Sequence, residues 1–411
     1  MQKTQTSQPK CKRILFIGAY GIENAGDDLP MLAMIENLQR FSPRTHFEFH
    51  TLTRHVNQWE TQHYPVIFHQ NLEYESREQA QGKWIRGLNP DDDRHIFTEF
   101  TQLIKSMDML IIGAGNFIID MCIDIFRGPI PLNWWHIHIA KLYDKKVFLY
   151  GFSTTPLISE YGKLLTKEII NRSDIVTVRD NDSRQYLRTL NIQKRITVLP
   201  DPTLSTKTDL SDFTFLHRTD LSLRKRHNTL TIALGLRTLP FLPGQEEKVF
   251  STLCNFIKKN PQYRYVFVPQ STYCADDDIA LSKKIADQTD HNIKVHVIER
   301  RYTPQQLISI YSLADYTIAI RLHSAVFSQI AGTPAIAINY LPKVASYMKD
   351  FGTITQCIDL DKLSPTELKQ TLVTMEKNTH LPAFIRQQHA KKRRQAGQYA
   401  KMALALLEQK D

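Results

Sequence analysis

No run in this sequence approaches the ~20 uninterrupted apolar residues that a helix needs to cross a bilayer. Residues 1–12 are polar and lack an apolar h-region, so no secretory signal is expected and the chain reads as cytoplasmic. Cysteine is scarce. Cys11, Cys122, Cys254, Cys274 and Cys357 lie far apart without CxxC spacing, which argues against a disulfide framework and a zinc site alike. The GxGxxG fingerprint of dinucleotide binding is missing, and so are short-period repeats and low-complexity tracts. No RNP-like, zinc-finger or aromatic-interleaved basic pattern occurs, so nucleic acid is not an expected partner.

What is present is an ordinary globular composition over 411 residues, 42% hydrophobic and 23% charged. That length suffices for two cores of roughly 150–200 residues each. The net charge of +10 suits anionic small substrates or an anionic membrane face. Its densest run, Lys391-Lys392-Arg393-Arg394, falls in a helical pattern. A solvated helix face is the plainer reading of that run; peripheral contact with anionic lipid at the inner face of the membrane is the other.

Short β-branched runs alternate with helical patterns along the whole chain. Residues 13–19, 47–52, 109–112, 147–151, 175–178 and 196–199 read as strands, with helical segments such as 31–41, 134–143, 162–172 and 182–190 between them. Residues 72–94 break this rhythm with charge, Gln and Gly, as a surface excursion would. A second cadence follows a polar stretch, with strands at 231–236, 265–268, 294–298, 316–320 and 335–338 and helices at 246–259, 278–290, 304–314 and 324–331. Buried apolar strands separated by amphipathic helices predict α/β architecture, with two Rossmann-like, doubly wound parallel-sheet domains facing a cleft. The expected boundaries are 1–205 for the first domain, 206–228 for a linker and 229–377 for the second domain. Residues 378–411 should form a long basic helix that can pack back on the first domain.

The candidate site residues stand where these strands end. Gly18-Ala19-Tyr20-Gly21, then Asn24-Ala25-Gly26-Asp27-Asp28, form a glycine-bearing turn whose N–H groups can approach an anion or a sugar. The competing reading is that Asp27 or Asp28 only caps a helix beginning near Leu29. Gly113-Ala114-Gly115-Asn116 again puts small residues at a strand's C-terminal edge, either for a ligand or merely for a tight turn. Arg179 can present a guanidinium to a carboxylate or phosphate, or pair with Asp180, Asp182 or Asp201; Asp180 is a plausible N-cap. In Arg321-Leu322-His323-Ser324 a cation sits at a helix N-terminus beside an imidazole suited to proton transfer near neutrality. A locally bonded histidine is the bland alternative. Arg237, Gln270 and Lys343 complete that edge. Asp27, Asp28, Asp120, Asp124 and Asp201 lie on separate loops without ligand spacing, so no metal is expected.

The order of these segments resembles the polysaccharide pyruvyl transferase family. The matching stretches are GAYGIENAGDD (18–28), GAGNFIID (113–120), LYGFSTTPL (149–157) and VTVRDNDSRQYLRTLNI (176–192). The PDP turn at Asp201, LGLR (234–237), FVPQS (267–271) and RLHSAVFSQIAGTPAIAINYLPK (321–343) continue the series. Together they span roughly residues 13–351. Departures are Ala114 in the family's usual glycine triplet, Phe152 and Ser153 where glycines are usual, and the unmatched loop at 72–94. The resemblance implies a GT-B-like fold and phosphoenolpyruvate as donor substrate, without a separate cofactor. It places Arg321 and His323 at the phosphoenolpyruvate site, with Arg179 as a second anion contact.

On that reading Arg321 and Arg179 clamp the donor's two anionic ends, aided by N–H groups from Leu322 and Ser324. His323 is the expected catalytic acid, and Asp28 or Asp27 serves the acceptor hydroxyl, with Asn24, Gly115 and Asn116 on the acceptor side. The acceptor is a sugar of a cell-envelope polysaccharide or its precursor, lipid-linked or free. A glycosyltransferase using a nucleotide-sugar on the same fold is the alternative, and a non-catalytic carbohydrate-binding homologue the third reading.

Overall fold

The computed structural model describes residues 11–409 apart from 75–78, 80–82, 84, 120–127, 208, 225–228, 241, 274–275 and 291. Asp120 and Asp124, together with Cys122 and Cys274, lie outside the described residues. The chain divides into two compact units. One comprises the described residues of 1–22, 30–205 and 395–411; the other comprises 23–29 and 206–394.

The first unit is built on a seven-stranded sheet of order β3-β2-β1-β4-β5-β6-β7. Its strands are β1 (Lys12–Ile17), β2 (Phe47–Thr53), β3 (Ile67–Gln70), β4 (Met109–Ile118), β5 (Lys146–Thr154), β6 (Ile175–Val178) and β7 (Thr197–Val198). Every neighbouring pair is parallel. Alternation along the central strands shows why the sheet is covered on both sides. Leu15, Ile17, Leu110, Ile112, Val147 and Leu149 enter one core, while Ile14, Phe16, Met109, Ile111, Phe148 and Tyr150 enter the other. A strand buried on both faces must be apolar throughout, which is the pattern that marked these segments in the sequence.

The second unit repeats the plan with six strands in the order β10-β9-β8-β11-β12-β13. They are β8 (Thr231–Gly235), β9 (Arg264–Phe267), β10 (Lys294–Val297), β11 (Tyr316–Ala319), β12 (Ala335–Asn339) and β13 (Cys357–Asp359), again all parallel. In both sheets the chain starts in the middle, winds to one edge, then returns to wind to the other. The reversal falls between β1 and β4 in the first sheet and between β8 and β11 in the second. Loops that leave neighbouring strands at such a point diverge, and this is where open α/β sheets bind ligands.

Three segments differ from the sequence reading. The helix expected near Leu29 begins earlier, at Ala25, and runs to Phe41. Its cap is Asn24, whose Oδ1 accepts from Gly26 N at 3.1 Å and whose carbonyl accepts from Asp27 and Asp28 N. The two aspartates sit in its first turn, where they favour the positive end of the helix. The long basic C-terminal helix is two helices, Leu381–Ala396 and Gln398–Glu408, parted at Gly397. The second buries Tyr399, Ala400, Ala403 and Leu406 in the first unit's core. The basic run is not uniformly solvated either. Lys391 and Arg394 are exposed, whereas Lys392 is buried and pairs with Asp350 at 2.5 Å. Residues 206–228, read as a linker, belong to the second unit; there Asp220 is bonded by His296 at 2.8 Å and by the Tyr302 hydroxyl at 2.6 Å.

Among the described residues no helix is long and apolar enough to cross a membrane, and no group of three or more His, Cys, Asp or Glu is placed to hold a metal ion.

Candidate functional site

The second unit gathers most of the candidate residues at its topological reversal. β11 ends in Ile320 and Arg321, and the helix Leu322–Ala331 starts at once, with Arg321 in extended conformation at its N-cap. The helix can dock this tightly because β8 ends in glycine. A Cβ on Gly235 would lie 2.0 Å from Ser324 Oγ. Helix N–H groups without intrahelical partners, and the positive end of the dipole, are thus fixed over the sheet edge.

Arg321 is 6% exposed, and its guanidinium is engaged through Nε and Nη2. Nε and Nη2 donate to the two oxygens of Asp278 at 2.6 and 2.7 Å, and Nη2 also meets Asp276 Oδ2 at 2.8 Å. Burial penalises the cation, but the two carboxylates more than offset this and hold the guanidinium charged, its pKa raised above the ordinary value. Asp278 accepts in addition from Gln270 N and Ser271 N, both at 3.0 Å. One buried carboxylate therefore ties the turn after β9, the turn after β11 and the helix Asp278–Ala286 into a single corner. The expectation of Arg321 as an open anion clamp is corrected accordingly. A guanidinium taken out of water needs partners of its own, and here Asp276 and Asp278 supply them. Arg321 contributes a fixed positive charge and holds the corner in shape.

His323 is half-buried and stands beside the turn at residues 24–28, which belongs to the same unit. That turn is stitched to the one after β9. Ala25 N donates to Gln270 O at 2.8 Å, Thr272 N donates to Glu23 O at 3.0 Å, and Asn24 and Ser271 form an antiparallel bridge. Gly26 then faces the imidazole so closely that a Cβ there would be 2.4 Å from His323 Nδ1. Asp28 is completely buried and Asp27 only partly so; of the two, only Asp27 retains access to solvent. The side chains of Leu322 and Ser324 are buried, and Ser324 N already donates to the Arg321 carbonyl at 3.1 Å, so Ser324 serves to hold the turn rather than to meet a ligand.

Two further cations border this corner. Arg237 donates to the Tyr340 hydroxyl at 2.9 Å and approaches Asp276 at 3.7 Å, while remaining 21% exposed. Lys343 is half-buried, with Nζ 5.9 Å from the centre of the Tyr340 ring. Asp276 thus lies between two arginines. Neither Asp276 nor Asp278 was among the sequence candidates. The run Asp276-Asp277-Asp278 before a helix was the signal available, with Asp277 bonding Ile279 N as the N-cap.

Arg179 belongs to the first unit, at the end of β6, and each of its guanidinium nitrogens is bonded. Nη1 pairs with Asp201 at 2.9 Å, Nε donates to Ser153 Oγ at 2.6 Å, and Nη2 reaches Asn116 Oδ1 at 3.3 Å. The Ser153 hydroxyl in turn donates a hydrogen bond to Asp180 at 2.6 Å, and Asp180 caps the following helix by accepting from Ser183 N at 2.7 Å. Of the two readings open for Arg179, the ion pair with Asp201 is the one present, and a free second anion contact is not. The turn expected at residues 113–116 is instead the continuation of β4; Gly115, with φ of +95°, sits where the strand's register against β5 shifts and sets the backbone that carries Asn116 to this network.

The polysaccharide pyruvyl transferase family model matches residues 24–342. The chain is 27% identical over 285 residues to the amylovoran biosynthesis protein AmsJ of Erwinia amylovora, a match covering 64% of each chain and so less than two thirds of that protein's length. Among solved structures it is similar to a putative UDP-N-acetylglucosamine 2-epimerase from Listeria monocytogenes (TM-score 0.60, 12% identity, 96% of this chain and 95% of that one). It is also similar to the UDP-GlcNAc 2-epimerase of Neisseria meningitidis bound to UDP-GlcNAc (TM-score 0.57, 12% identity, 97% and 99%). At such identity the structural likeness speaks for the fold alone, which is of the GT-B type.

Proposed function

The chain belongs to the polysaccharide pyruvyl transferase family, and from that premise we propose that it transfers the pyruvyl unit of phosphoenolpyruvate to a sugar as a ketal. The observation that carries this reading is the meeting, inside one unit, of two family segments some three hundred residues apart in sequence. The turn at 24–28 lies against His323 at the head of the helix Leu322–Ala331, with Gly26 as the point of contact.

The chemistry asks for a proton at the donor's methylene carbon and for anion stabilisation next to it. His323, as imidazolium, gives its proton to that carbon, and C2 becomes electrophilic. A sugar hydroxyl adds at C2, phosphate departs, and a second hydroxyl of the same sugar closes the ketal. Of the two hydroxyl protons released, one restores His323 and the other leaves with phosphate. Acid assistance of this kind is worth ~10²–10⁴ in rate. The donor's anionic groups are held by the helix N–H groups, Arg237 and Lys343, with the charge of Arg321 fixed beneath them. Asp27 is the carboxylate suited to orient the acceptor hydroxyl.

The test is phosphate release that requires both phosphoenolpyruvate and a sugar, screened over an acceptor panel of free and lipid-linked glycans. Thermal stabilisation by phosphoenolpyruvate and not by UDP-sugars is the accompanying result expected. Stabilisation by a UDP-sugar alone, with no phosphate released, would replace this reading with glycosyl transfer on the same fold.

A further inference from the structure

The backbone of Gln270 is fully committed: its N–H donates to Asp278 and its carbonyl accepts from Ala25. Its side chain is the reverse. The residue is 4% exposed, and neither the amide nitrogen nor the amide oxygen has a hydrogen-bond partner among the described residues. Ser271, 1% exposed, repeats the pattern, for its backbone pairs with Asn24 while its Oγ has no partner among the described residues. Two consecutive residues thus bury three polar side-chain atoms without a hydrogen bond, in the corner that also holds His323 and Arg321. Native folds rarely accept this cost, and a ligand that completes the bonds is a physical reason to keep it.

The chemistry of these atoms narrows the ligand. An amide presents two donors on nitrogen and an acceptor on oxygen, and a serine hydroxyl does both. A carboxylate or phosphate offers only acceptors and would leave the Gln270 oxygen unsatisfied. Hydroxyl groups donate and accept, so a pair of them on one sugar satisfies all three atoms together. Ketal formation needs two such hydroxyls held side by side. We propose that Gln270 and Ser271 recognise the hydroxyl pair of the acceptor sugar, an inference that rests on pyruvyl transfer as the reaction. Neutral partners suit this role, because the cations of the corner serve the donor while uncharged groups distinguish a diol from a deoxygenated sugar.

Two arms test it on the full-length protein. In the first, saturation-transfer NMR without phosphoenolpyruvate reads binding of methyl glycosides of glucose, galactose and mannose, each beside its 6-deoxy analogue. The wild type should prefer at least one diol over its deoxy partner, and Gln270→Leu and Ser271→Ala should abolish that preference while keeping a native melting temperature. In the second, the acceptor KM should rise about ten-fold in Gln270→Leu, with the phosphoenolpyruvate KM unchanged within about two-fold, as loss of two neutral hydrogen bonds implies. The proposal is overturned if no glycoside binds the wild type, if the preference survives both substitutions, or if phosphoenolpyruvate affinity falls instead. Glycoside preference without phosphate release would sink pyruvyl transfer yet leave the sugar subsite standing.

Discussion

Arg179 in the first unit and Arg321 in the second each stand just past a sheet strand and both are paired, Arg179 half-buried and Arg321 buried. Their surroundings differ. Arg179 divides its donors among a carboxylate, an amide oxygen and a hydroxyl, and Asp180 carries the network on into a helix cap. Arg321 spends its donors on two carboxylates, and the same corner displays a half-buried His323 and the unpartnered side chains of Gln270 and Ser271. The first arrangement is a closed clasp that secures strand ends. The second is a clasp with reactive and recognition groups mounted on it. A buried arginine alone therefore does not mark an anion site; what its neighbours leave available does.

The comparison is broken most forcefully by removing each arginine. Arg321→Met strands the buried Asp278 without its cation and leaves Asp276 only the longer contact to Arg237, and should cost about 3–5 kcal/mol of stability by chemical denaturation. Arg179→Met should cost less, about 2 kcal/mol, because Arg179 is only half-buried and pairs with a single carboxylate, Asp201. Equal losses would erase the distinction drawn between the two clasps.

The first unit carries a second kind of buried group that sharpens the contrast. His136 is sealed in the core against Phe100, and neither ring nitrogen has a hydrogen-bond partner among the described residues. Burial lowers its pKa to about 4, against the small opposing pull of Glu73. Since the folded value lies below the ordinary 6.5, the unfolded chain binds the proton more readily between the two. Stability is complete above that ordinary value and is lost as the pH falls to about 4, by about 3 kcal/mol in all. His136→Leu should flatten that dependence; an unchanged pH profile in the variant would remove His136 as its source.

The smallest effect expected is at Gly26. Gly26→Ala puts a methyl group 2.4 Å from His323 Nδ1 and 2.7 Å from its Cβ, so the imidazole or the turn must move. A loss of about 1–2 kcal/mol is expected, with turnover reduced well beyond what that loss explains. Wild-type turnover in Gly26→Ala would show that the register between turn and imidazole does not matter.

Much of this was legible in the sequence for definable reasons. β1, β4, β5, β8 and β11 are buried on both faces, so their apolar runs announced them. β3 and β13 escaped notice: one is an edge strand with exposed ends, Ile67 and Gln70, and the other has three residues, too few to show a period. Arg321 and His323 were found because they adjoin in sequence. Asp278, 43 positions away from Arg321, was not, since ion pairing across strands leaves no local pattern. Arg179 with Asp201 was foreseen as one of three pairings, yet only the folded chain decides among them. The same limit hid the Gln270 amide, because an unmade hydrogen bond has no signature in a string of residues.

Replacement of a single side chain probes the assignment of chemistry to the second corner most directly. Phosphate release from phosphoenolpyruvate in the presence of acceptor should fall ~10²–10⁴-fold in His323→Gln, with melting temperature and phosphoenolpyruvate binding close to wild type. Release at the wild-type rate from a folded His323→Gln protein would contradict it.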